Sequence, residues 1–173
     1  MRTPLDLINN PPPELKILVS TFPELDFPLV KPDQVLPCGP ILRIAPPITD
    51  ADRELEKWLA RGPTIYLNLG SLVKLSEDKA VEFALALKTV LDEAKQHSSA
   101  AHFQVLWKLM KCEEYEVFEP GCRIYEILGT DIEADKVKIV SWIQAEPIEV
   151  LQSGHVACSV HHGGANTYNE AVV

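Results

Sequence analysis

The chain has 173 residues, 46% of them apolar and 24% charged, which is enough for a full core and too ordinary for a disordered, collagenous or disulfide-scaffold protein. A net charge of -9 speaks against a general nucleic-acid or acidic-membrane surface, while still allowing one local anion pocket built from amides and nearby side chains. No apolar run approaches the ~20 residues that cross a bilayer, the opening MRTPLDLINNPPPELK lacks the apolar core of a signal peptide, and Cys38, Cys112, Cys122 and Cys158 form no CxxC pair, which suits reduced thiols in a cytosolic protein and argues against metal binding.

Along the chain, proline crowds the first third, at Pro11 to Pro13 and then at Pro23, Pro28, Pro32, Pro37, Pro40, Pro46 and Pro47. Proline lacks a backbone donor and restricts the residue before it, so this stretch reads as a connector with short extended pieces at Leu15 to Phe22 and Val35 to Leu42. From Thr49 the pattern changes. An acidic start at Asp50 followed by Leu55, Trp58 and Leu59 predicts a short helix, and TIYLNLGS (Thr64 to Ser71) predicts a strand closed by glycine. Ser76 then opens a helix with apolar positions at Ala80, Ala84, Leu87, Leu91 and Ala94. Further strands are expected at Phe103 to Leu109, Lys136 to Trp142 and His155 to His161, with a helix from Pro147 through Leu151 between the last two. Strands separated by helices imply a parallel α/β sheet.

In such a sheet, ligands sit at the carboxyl ends of the strands. Two junctions qualify. Gly70-Ser71 is either an ordinary βα turn or a place where a ligand approaches the backbone and the serine hydroxyl meets a phosphate. His162-Gly163-Gly164-Ala165-Asn166-Thr167 is either a helix cap or an anion seat: free amides at a helix start attract phosphate, with His162, Asn166 and Thr167 as added donors. Glu170, one turn on, lies on a solvated face or offers an acceptor-only carboxylate to a ribose diol. His161 reads as a structural strand residue. Trp142 is either core, the commoner place for tryptophan, or a stacking surface for a planar base. GxGxxG and GxxxxGK[ST] are both missing, which weakens dehydrogenase and NTPase readings.

Together these pieces resemble the nucleotide-sugar half of the UDP-glycosyltransferases, a family with two facing Rossmann-like domains. His162-Gly-Gly-Ala-Asn166-Thr167-Tyr-Asn-Glu170 is similar to the family's HxGxNSxxE donor signature in the HGGANS-type form of fungal members, with Thr167 in place of serine. Trp142 with the VLQSGHV stretch resembles the lead-in to that signature, although WIQAEP departs from the common WxPQ. The resemblance implies an α/β, Rossmann-like parallel sheet flanked by helices, an incomplete C-terminal half of a GT-B type fold. It divides the chain into residues 1–48, the end of an acceptor domain and a proline-rich linker, and 49–173, part of a UDP-sugar-binding domain. By the same resemblance Trp142 would stack on uracil. His162, Asn166 and Thr167 with the amides of Gly163 and Gly164 would bind the diphosphate, Ser71 would lie near the phosphates, and Glu170 would accept from the ribose hydroxyls.

The implied reaction moves a hexose from UDP-sugar to an acceptor hydroxyl with inversion. UDP-sugar serves as donor substrate, with no cofactor and no metal, and the acceptor is a phenolic, sterol or other lipophilic alcohol. No catalytic residue is expected in this chain, because the family's catalytic histidine and aspartate belong to the acceptor domain, so the chain alone is expected to be an inactive fragment. Neither a nucleic-acid partner nor a transmembrane segment is expected. The expected location is the cytoplasm, with membrane association for a longer form. Two other readings remain: a donor-domain subunit that pairs with a separate acceptor-domain protein, and a non-catalytic nucleotide-binding module.

Overall fold

The computed structural model describes residues 4–24, 30–96 and 102–172, which fall into two compact units divided between Arg43 and Ile44. In the first unit, helix α1 (Pro4–Asn9) precedes two short strands, β1 (Ile17–Val19) and β2 (Val35–Pro37), which pair in parallel with Ile17 opposite Val35. β1 is shorter than the expected Leu15 to Phe22 because the Thr21 amide donates to the Val19 carbonyl at 3.0 Å and turns the chain out of the strand. β2 ends at Pro37, and the Cys38 amide closes the pair by donating to the Val19 carbonyl at 3.0 Å.

The second unit opens with two short helices, α2 (Ile48–Ala51) and α3 (Arg53–Leu59), in place of the single helix expected from Asp50. The break falls at Asp52, which has φ -150° and whose carboxylate accepts from the Leu55 amide at 2.9 Å, so Asp52 rather than Asp50 caps the longer piece. β3 (Thr64–Asn68) leads into α4 (Glu77–Gln96), then β4 (Gln104–Lys108), α5 (Arg123–Glu133), β5 (Val137–Val140), α6 (Pro147–Leu151), β6 (Val156–His161) and α7 (Ala165–Val172). The four strands of this unit are parallel in the order β5-β4-β3-β6, an α/β Rossmann-like arrangement.

β3 is buried at every position, as a strand covered on both faces must be. On one face Ile65, Leu67, Val105 and Trp107 join the apolar stripe of α4 (Ala80, Val81, Ala84, Leu87, Leu91) and Ile124 and Leu128 of α5. On the other, Tyr66 and Leu106 pack with Leu55, Trp58 and Leu59 of α3 and Val150 of α6. The side-chain amide of buried Gln104 donates to the Trp58 and Leu59 carbonyls, both at 3.0 Å, satisfying the carboxyl end of α3.

α4 and α5 are also joined by charge. Asp131, with a side chain only 3% exposed, meets Lys88 at 2.9 Å and Lys95 at 3.1 Å. Both lysines are partly solvated, so the network lies between a surface pair and a fully buried one. Asp131→Ala should destabilise the unit by about 2 kcal/mol, read as a lowered denaturant midpoint with an unchanged slope.

Candidate functional site

The strand order places β4 on one side of β3 and β6 on the other, so the connections that leave β3 and β6 at their carboxyl ends diverge. Such a switch point opens a crevice at the sheet edge. The junction after β3 supplies Gly70 and Ser71, and the junction after β6 supplies His162 through Thr167. Register sets Asn68 beside both Lys108 of β4 and His161 of β6, so the last residues of three strands form one row along the crevice.

A cavity of about 290 Å³ lies here. Ser71, Trp142, Asn166, Thr167 and Glu170 line it together with Tyr66, Asn68, Lys108 and Glu146. Four segments distant in sequence therefore converge on one hollow.

Trp142 is 65% exposed, and the core reading of this residue falls. β5 ends at Val140, and beyond it burial alternates with Ile143 and Ala145 inside and Trp142, Gln144 and Glu146 outside. Ile143 takes the core place, which turns the indole outward. Its ring lies under the Lys108 ammonium, with Nζ 4.4 Å from the ring centroid.

His162, Gly163 and Gly164 are not among the residues that line the cavity, and their geometry differs from the simple expectation of room for a ligand. A Cβ built on Gly70 would fall 2.8 Å from His162 Cε1, and one built on Gly164 would fall 2.3 Å from His162 Nε2. The absent side chains thus make room for the protein's own imidazole, which sits between the two junctions. Gly70 also has φ 83° and Gly163 φ 76°, values that favour glycine. His161 is structural, as expected: its Nδ1 accepts from the Gly163 amide at 3.2 Å, and its ring lies 6.4 Å from that of Tyr168.

In α7 the first helical bond runs from the Tyr168 amide to the Gly164 carbonyl at 2.9 Å, so the amides of Ala165, Asn166 and Thr167 have no carbonyl within the helix to receive them. They bring partial positive charge to the cavity wall that Asn166 and Thr167 form. The opposite end of the same helix face brings negative charge. Burial raises the Glu170 carboxyl above the usual carboxylate range, and the neighbouring Glu146 adds to the effect. Burial also pushes the Tyr66 phenol well up, reinforced by the Glu170 charge and opposed by the hydrogen bond from Asn68.

Three lining residues escape sequence reasoning. Tyr66 and Asn68 sit inside an apolar strand pattern, yet Asn68 is the pivot of the β3 junction: its Nδ2 donates to Tyr66 Oη at 2.7 Å and its Oδ1 accepts from the Gly70 amide at 3.0 Å. That short turn aims Gly70 at His162. Lys108 reads in sequence only as the polar end of a strand. Its ammonium is pulled below the usual lysine range by burial, and no carboxylate comes within ion-pair distance of it among the described residues.

The glycine contacts can be separated by mutation. Gly164→Ala should swing the imidazole aside, since an exposed side chain can yield, and in a His162→Ala background it should be close to neutral. Gly70→Ala should still cost about 1 kcal/mol in that background, because the left-handed backbone penalty stays when the ring is gone. Thermal or urea unfolding of the two double-mutant cycles measures the difference.

No family model matches the chain. Among curated proteins, glycosyltransferase sdnJ of Sordaria araneosa is 37% identical over 155 residues, an alignment covering 89% of this chain and 29% of that protein. UDP-glycosyltransferase 74C1 of Arabidopsis thaliana is 28% identical over 127 residues, covering 72% of this chain and 24% of the relative. Among solved structures, that of Phytolacca americana UGT2 complexed with UDP-2fluoro-glucose and pterostilbene superposes with a TM-score of 0.54 at 25% identity, over 90% of this chain and 33% of that one. The chain spans less than a third of the length of these curated relatives. In sequence and in fold the chain is a relative of the UDP-glycosyltransferases, matched to a segment of them.

Proposed function

We propose that the cavity at the carboxyl edge of β3 and β6 binds the UDP part of a UDP-sugar, and that the chain serves as the donor-binding part of a glycosyltransferase that moves a hexose to an acceptor hydroxyl. The observation that carries this reading is the convergence of Trp142, Ser71, Asn166, Thr167 and Glu170 on one hollow at the switch point. Each offers what one part of UDP needs. The exposed indole offers a face for uracil, the open amides of α7 with Asn166, Thr167 and Ser71 offer donors for the diphosphate, and the Glu170 carboxylate offers an acceptor for ribose hydroxyls. The His162 imidazole lies against Gly70, itself a lining residue, and Gly164, and in this reading donates to a phosphate oxygen.

The reaction follows from that binding. The acceptor oxygen attacks the anomeric carbon as the bond from that carbon to the diphosphate oxygen breaks, so the configuration inverts and the negative charge grows on UDP. Amides and donors already aimed at the phosphates stabilise that charge as it forms. UDP-sugar enters as substrate, and the donor-binding role assigned to these residues calls for no cofactor. We read residues 1–48 as the end of an acceptor domain with its linker, and 49–173 as donor-domain sequence. No residue of this chain is assigned as the general base, and by itself the chain is expected to bind UDP without turnover. The Phytolacca enzyme was solved with a UDP-sugar and pterostilbene together, and the acceptor read for the whole protein is likewise a phenolic or other lipophilic alcohol, a sterol included. No helix among the described residues is long and apolar enough to cross a membrane, and the reading places the protein in the cytoplasm, with membrane association in a longer form.

Calorimetric titration of the 173-residue chain with UDP tests the reading. Saturable binding is expected, and Trp142→Ala should weaken it about tenfold, the worth of one aromatic stack on a base. No heat with UDP, or unchanged affinity in Trp142→Ala, would refute it. UDP-glucose incubated with a phenolic acceptor should give no product from the chain alone.

Glu170 supplies a pH test. Its folded carboxyl titrates above the ordinary value, so the fold is favoured by the protonated form and loses stability as pH rises through that folded pKa. Glu170→Gln should therefore raise the melting temperature near neutral pH, and the gain should fade as pH falls below the ordinary carboxyl range. UDP affinity should move the other way, weaker in Glu170→Gln at neutral pH and declining in the wild type as acid protonates the acceptor.

A further inference from the structure

Lys108 joins the cavity as its one cation among the described lining residues, while Glu146 and Glu170 line the same hollow. Its place is fixed by register: Lys108 pairs with Asn68 on one side and Val140 on the other, which puts its stem on the face shared by Tyr66 and Asn68. Other lysines of this unit find carboxylates, Lys57 with Glu54, Lys79 with Glu82, and Lys88 and Lys95 with Asp131. Lys108 instead rests its ammonium on the Trp142 ring. Of two hollows that border the indole, Lys108 lines this one and not the other, of about 340 Å³, whereas Trp142, Ile143 and Gln144 line both. The ring face under the ammonium is therefore the face that looks into the cavity with Ser71, Asn166 and Thr167.

A planar base and an ammonium cannot share one ring face. A nucleoside that stacks there must lift the half-buried cation off the ring and brings no counter-charge of its own to receive it. A nucleoside diphosphate lifts it as well and brings the counter-charge, which the flexible four-carbon stem can follow. Resting on the UDP reading above, we propose that Lys108 is a specificity residue that holds the stacking face of Trp142 and yields it to a base only when a diphosphate takes up its ammonium. The site thereby discriminates nucleoside diphosphate from free nucleoside, beyond what the amides of α7 contribute.

The test compares UDP with uridine by calorimetry on the wild-type chain, Lys108→Met and Lys108→Arg, with the melting temperature as a check that each is folded. Methionine keeps most of the stem and its contact with the ring but removes the charge. In Lys108→Met, UDP should bind about tenfold more weakly, as loss of one charge-assisted contact implies, while uridine binds as well as before or better. The preference for UDP over uridine should therefore drop at least fivefold, and Lys108→Arg should restore most of it. A preference that drops by less than fivefold, or a loss shared equally by both ligands, overturns the proposal and leaves the UDP reading standing. Failure of the wild type to bind UDP overturns both.

Discussion

Parallel pairing of β3 on both of its edges is the constraint on which the rest of the molecule depends. Every residue of Thr64–Asn68 is buried, and residue-by-residue pairing with β4, and with β6 beyond a register shift between Thr64 and Ile65, leaves the strand no freedom to slip. Because the chain reaches β4 and β6 by connections on opposite faces, the backbone diverges at the carboxyl end of β3. The hollow is thus a property of strand order before it is a property of any side chain.

What fills the rim of that hollow is more tightly specified than a turn between strand and helix requires. Asn68 bends the chain so that Gly70 meets the imidazole of His162, and Gly164 leaves room for the ring's other side. Two junctions nearly a hundred residues apart in sequence are tied through one aromatic ring. The interior of the cavity carries the opposite character. A carboxyl raised by burial and an ammonium lowered by desolvation both face it, each charge less favourable there than in water, beside a phenol that burial holds in its neutral form. Folding tolerates this because a continuous apolar cluster is buried on either side of the sheet. Sites that must hold charged ligands are where such strain collects.

The order of strands and most helices could be read from the sequence because burial imposes a period on them: α4 shows its stripe, and β3 and β4 show unbroken apolar runs. α5 was hidden because RIYEILGTDIE mixes β-branched residues, glycine and threonine, and its preceding Cys122 makes no side-chain cap. Tertiary packing of Ile124 and Leu128 decides that helix, and packing is not written in local propensity. At the site, the residues of the α7 junction stood out by type and spacing. Trp142 could not be placed, because the choice between core and surface turned on which of two neighbours took the inner position, and Ile143 did. Lys108 carried no local signal at all. Its meaning comes from a ring thirty-four positions further along the chain, brought near by the register of β4 with β5.

The three tryptophans differ sharply in surroundings. Trp107 is fully enclosed, with an indole N–H that meets no acceptor among the described residues, Trp58 is 5% exposed with its N–H on the Asp135 carbonyl, and Trp142 is 65% exposed. Indole emission moves to longer wavelength as water relaxes around the excited ring, so the two enclosed residues emit toward the blue and Trp142 dominates the red flank. Light collected on that flank comes from the site itself, and the protein carries its own optical reporter of whatever settles on that ring.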